Sequence, residues 1–178
     1  MLNGMMIHSL LLKCSLLICL AAAGLWDLWA GRIPNRWLMF WYIFGFGVFV
    51  RSSWLAAAGY LVRSVAAVGL LFLFFLCRMI GAGDIKCMAL ICGYLGFSSG
   101  FRVIGAGMLM GAGWSLGRLL GRGLLRERIR YLTAYIGRVF HEKRIIAYYV
   151  PERDGKDVAL PLGFCLFLGL VVSYGYKL

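Results

Sequence analysis

Met5–Trp26 reads MMIHSLLLKCSLLICLAAAGLW, and the next residue is Asp27. Lys13 is its only Asp, Glu, Lys or Arg, and about 20 predominantly apolar residues suffice to cross the roughly 30 Å hydrocarbon core of a bilayer as a helix. The run lacks a basic leading region and a small-residue cleavage site; Ala21-Ala22-Ala23 is the nearest approach to one. Asp27 and another apolar run follow at once, so a retained first helix is expected, not a cleaved signal.

The rest of the chain repeats that pattern. With 62% hydrophobic residues, 15% charged residues and a mean hydropathy of +0.85, it does not fit an ordinary soluble domain. Further apolar runs occupy Trp37–Val50, Ser64–Met79, Ile85–Phe97, Val103–Leu120 and Ala159–Tyr176. The expected fold is all-α: a polytopic integral membrane protein, a six-transmembrane helix bundle forming one domain over 1–178. The second and fourth runs are short, so they either extend into their flanks or are partly covered by protein. Gly107 and Gly111, then Gly113, Gly117 and Gly121, recur at spacings that let helices pack closely.

Basic residues set the expected orientation. Arg32, Arg36, Arg78, Lys86 and a basic run from Arg118 to Lys156 follow spans one, three and five. The other side offers Lys13, Arg51, Arg63, Arg102 and Lys177. The positive-inside rule then places both chain ends outside and Asp27 and Asp84 together on the cytoplasmic face. Lys13 and Arg63 fit best if their spans start late or their side chains snorkel to the outer headgroups. Segment 118–157 reads as a basic amphipathic cytoplasmic element: Ile129, Leu132, Ile136, Val139 and Phe140 recur at helical spacing among arginines and lysines. Contact with anionic lipid is preferred over a docking role for it.

The net charge of +12 could suggest nucleic acid, but the basic residues flank spans and no nucleic-acid module accompanies them. Cys14, Cys19, Cys77, Cys87, Cys92 and Cys165 form no CxxC pair, and His8 and His141 stand alone. No metal site and no cofactor are expected; the cysteines read as small apolar packing residues.

Outside Arg118–Asp157 the chain holds two acidic residues, Asp27 and Asp84, each at the membrane end of an apolar run. Carboxylates near hydrocarbon are costly and usually functional. Asp27 precedes Ile33-Pro34-Asn35, where Pro34 ends the helix and Asn35 is expected to cap the next. Asp27 could equally pair with Arg32 or Arg36. Asp84 lies in Gly81-Ala82-Gly83-Asp84-Ile85-Lys86, whose glycines should permit close backbone approach and non-helical geometry. The plainer reading is a loop-to-helix junction with Asp84 stabilising the helix N-terminus. Two neighbouring carboxylates share a proton, so one can act as base and the other as acid in peptide hydrolysis.

The Asp27…Ile33-Pro34-Asn35 segment, the Gly81–Lys86 segment and Leu160-Pro161-Leu162-Gly163 together resemble the type IV prepilin peptidase family, GxGD-type intramembrane aspartic proteases. The resemblance implies that Asp27 and Asp84 are the catalytic acids, with Gly81, Gly83, Lys86, Pro34 and Asn35 supporting the site. It implies a bacterial inner-membrane enzyme that cuts prepilin-like substrates, each with a short leader and a hydrophobic N-terminal helix, on the cytoplasmic side. The short form looks most like peptidases serving Flp/Tad-type pili or pseudopilus systems. Larger members also methylate the new N-terminus and carry a domain with paired cysteines; that domain is not expected here, and methylation is left open. Oligomeric state is left open. Two other readings stay on the table: a proton-coupled transporter using both carboxylates as relays, and a secretion-system scaffold using them in salt bridges.

Overall fold

Gly31 and Gly96, both at positive φ, mark where the first and fourth helices stop. The computed structural model describes residues 2–76, 80–121 and 160–175, with isolated positions at 123, 129, 130, 133, 134 and 137. Six long helices follow in order: α1 (Leu2–Ala30), α2 (Asn35–Ser52), α3 (Trp54–Leu76), α4 (Ala82–Leu95), α5 (Phe97–Gly121) and α6 (Leu162–Gly175). Among the described residues there is no strand. Gly31 ends α1 at φ +60°, a left-handed position that a side chain would oppose, and its N–H closes onto Asp27 O at 2.9 Å. Pro34 then holds an extended φ of −64° and its carbonyl starts α2.

The bundle is organised around α4, one of its two shortest members. At ~1.5 Å per residue α4 is about 21 Å long, less than the hydrocarbon thickness of a bilayer. Its Cys87, Met88, Ala89, Leu90, Ile91 and Cys92 are apolar on every side, and all are fully buried. The other five helices all pack against it. The short fourth run is therefore covered by protein, one of its two expected solutions.

Around α4 the pattern turns outward. Val62, Val65, Leu70 and Leu73 of α3 face away from the core, Val65 with 71% exposure, so water is a poor solvent for this helix. Ser9–Ala30 and Trp54–Leu76 are long and apolar enough to cross a membrane, and α6 is a shorter apolar helix. The six-helix count matches the expected bundle; spanning length and apolarity are clear for two of the six.

Three expectations need correction. Helix α3 starts at Trp54 instead of Ser64, so the span does not start late and Arg63 lies mid-helix. Its guanidinium turns inward, donating to Gly93 O at 3.1 and 3.4 Å and lying 5.9 Å from the Phe49 ring. A cation there meets the carbonyls of the last turn of α4, where the helix dipole favours positive charge. The glycine ladder of α5 divides as well. A side chain at Gly107 would strike the α6 backbone at Cys165 and Leu166, at 2.9 Å, whereas Gly113, Gly117 and Gly121 face open space. Only the first part of the ladder is a helix contact within the described residues.

The third correction concerns Asn35. Pro34 occupies the N-cap of α2 and no side chain caps it. Asn35 is the first helical residue, and its Oδ1 accepts from Lys86 Nζ at 2.9 Å. The side chain taken for a cap is claimed by another helix. Segment 118–157 is described through Gly121, the end of α5; apart from isolated positions, its amphipathic part lies outside the described residues.

Candidate active site

Asp27 and Asp84 are placed by different means. Asp27 sits in the last turn of α1, one turn before the Gly31 stop. Asp84 sits in the first turn of α4, three residues after the Gly81 N-cap. That is the position from which an acidic side chain reaches back to a cap N–H, and Gly81 supplies a backbone hydrogen bond to it. The plainer reading of Asp84 as a helix-start residue is thus geometrically satisfied, and it does not exclude chemistry.

The fold brings the two acids to one end of the bundle. The charge of Asp27 is felt at Asp84, and both are felt at the buried core residue Cys87. Ile33, from the loop after α1, links their surroundings. Its side chain lies 3.5 Å from where a Gly83 side chain would begin and 3.1 Å from the same point on Gly163.

Asp27 does not depend on Arg32 or Arg36 for its partner. Its Oδ2 accepts from the Gly163 N–H at 2.7 Å, across 136 residues of sequence. Gly163 lies in the first turn of α6, just after Pro161, where amides have no partner within the helix and the dipole end is positive. A carboxylate is the natural occupant of such a position. A side chain on Gly163 would begin 3.1 Å from Asp27 Oδ2 and 3.2 Å from Asp27 Cβ, so the residue is held to glycine by close approach.

Asp84 is the more enclosed acid, before the apolar length of α4. Burial pushes its carboxyl up to about 7, the neighbouring Asp27 charge adds to the rise, and the Gly81 hydrogen bond opposes it. At neutral pH such a group is partly protonated.

The expected supporting residues divide. Gly81 and Gly83 adopt no left-handed geometry: Gly81 is extended at φ −70° and Gly83 is helical. What they provide is space, since a side chain on Gly81 would begin 3.0 Å from Asp84 Oδ2. Lys86 donates to Asn35 Oδ1, while its own carbonyl accepts from Tyr42 Oη at 2.8 Å. Together these bonds tie the first two turns of α2 to the start of α4. Pro34 is exposed and shapes only the turn. Trp37 fastens α2 to α1 by donating to Cys19 O at 3.1 Å and meeting Trp26 edge-on at 5.1 Å.

Ile33 and Gly163 are the site residues that sequence reasoning left without a role. Both stood inside quoted motifs. The available signal was Pro161, which suits the first turn of a helix and so announces unpaired amides immediately after it.

The family model described as the type IV leader peptidase family matches residues 14–116, which include both aspartates and end before Gly163. No curated protein and no solved structure matches the chain.

Proposed function

The chain belongs to the type IV leader peptidase family, and on that footing we propose that it is an aspartic endopeptidase working through Asp27 and Asp84. It removes the short leader of type IV prepilin-like precursors, of the Flp/Tad or pseudopilin kind, at the cytoplasmic face of the bacterial inner membrane. The carrying observation is the convergence of the two acids around Ile33 and Gly163 at one end of the bundle.

The surroundings of the two acids suggest different roles. A short bond from a helix-start amide matches an ionised carboxylate, so Asp27 is the base. Asp84, with its raised pKa, holds the proton. In the first step Asp27 takes a proton from water, the water oxygen bonds to the scissile carbonyl carbon, and Asp84 protonates the carbonyl oxygen. In the second, the C–N bond breaks: Asp27 gives its proton to the departing nitrogen and the diol returns one to Asp84. Both acids end as they began, and their titration belongs to the pair.

Gly81 and Gly83 leave room beside Asp84 for an extended substrate backbone, and the Lys86–Asn35 bond positions the loop that carries Ile33. Six membrane passages, with α4 sheltered by its neighbours, would put this end of the bundle among the cytoplasmic basic residues Arg32, Arg36 and Lys86. The test is co-expression with a prepilin bearing a short leader, scored by leader loss. Asp27→Asn and Asp84→Asn should each abolish cleavage while the protein still inserts. Substantial activity in either variant overturns the assignment.

A further inference from the structure

A concavity lies at the end of the bundle remote from the aspartates. Its volume is about 970 Å³, and α1, α2, α4, α5 and α6 all contribute to its lining. At ~1.5 Å per residue, about 20 Å of α1 separates Lys13 on this cavity from Asp27. Leu17, Phe49 and Val103 give it apolar walls. Lys13 and Arg102 are the charged residues of the lining; both side chains are exposed, and no acidic residue is among them. Arg102 is held in place by a 3.1 Å bond from its guanidinium to Ser99 Oγ. Tyr174, on the same lining, has a buried hydroxyl with no hydrogen-bond partner among the described residues.

These features complement one kind of molecule. A free anion would satisfy the cations and leave the apolar walls unfilled. An uncharged or zwitterionic lipid would fill the walls and leave two positive charges unmatched. We propose that this cavity binds an anionic phospholipid, its phosphate against Lys13 and Arg102 and an acyl chain along Leu17 and Val103. The site does not depend on the protease reading, because no residue of the aspartate end takes part.

The test uses the full chain purified in detergent and equilibrated with equal amounts of phosphatidylglycerol and phosphatidylcholine, with retained lipid read by native mass spectrometry. Two phosphate-directed cations predict a preference for phosphatidylglycerol of roughly tenfold or more. Lys13→Gln/Arg102→Gln should reduce it to about twofold or less, while Arg51→Gln, a charge removed outside the cavity, should leave it intact. Equal retention of both lipids by the wild type overturns the proposal, and so does an equal loss in Arg51→Gln. Displacement of the lipid by inorganic phosphate alone also overturns it, since the site would then recognise a free anion. Should the double variant unfold, the wild-type preference and the phosphate competition still decide.

Discussion

Replacing Gly163 with alanine tests the site at its tightest point. The new methyl would begin 3.1 Å from Asp27 Oδ2, 3.1 Å from Ile33 Cδ1 and 3.2 Å from Asp27 Cβ. Comfortable carbon contacts lie at about 3.5–4.0 Å, so something must yield by a few tenths of an ångström. If the side chains hold, overpacking of this size costs about 1–3 kcal/mol. If Asp27 or the start of α6 gives way, the 2.7 Å bond between the Gly163 amide and Asp27 lengthens. Hydrogen bonds to charged groups contribute about 1.5–3 kcal/mol, so either route costs a similar amount of stability. Activity should suffer more than stability, because misplacing a reacting group by about 1 Å can cost on the order of 100-fold. The expected result is cleavage of a matched prepilin slowed by roughly 10- to 100-fold, with a melting temperature in detergent only a few degrees lower. Wild-type cleavage by a correctly inserted Gly163→Ala protein would show that the α6 amide does not position Asp27, and the assignment of Asp27 as base would lose its support.

Two further outcomes follow from the same geometry. Asp84 titrates at about 7 in the fold against an ordinary 3.8, so folding favours its protonated form. The stability it contributes is complete below about pH 4 and is lost as pH rises through about 7. Melts between roughly pH 5 and 8 should therefore show stability falling with pH, and Asp84→Asn should flatten that slope; an unchanged slope in the variant refutes the linkage. Leader cleavage should decline over the same window as the acid loses its proton. Lys86→Met removes the 2.9 Å bond to Asn35. Because that bond is exposed, stability should change by about 1 kcal/mol or less, while cleavage should slow by about three- to tenfold through the loosened Ile33 loop. An unaltered rate would make the tie irrelevant to the site.

What could be read from the chain alone was what depends on neighbours in sequence. Apolar runs imply helices, Pro34 ends the first of them, and two acids in an otherwise acid-free apolar chain identify themselves as expensive. These inferences need only backbone geometry and solvent preference. Arg63 shows where such reasoning ends: a charge inside an apolar run looked like a boundary because its partner, the Gly93 carbonyl, belongs to a different helix. Asn35 was misjudged for the same reason, its oxygen being taken by Lys86 rather than by its own helix. The choice of Gly163 as the partner of Asp27 rests on α6 packing against α1, across 136 residues. Composition and spacing determined that this protein has helices and two costly carboxylates. Only helix packing decided which amide, which glycine and which apolar wall would stand beside each of them, because those partners meet through long-range burial and not through local preference.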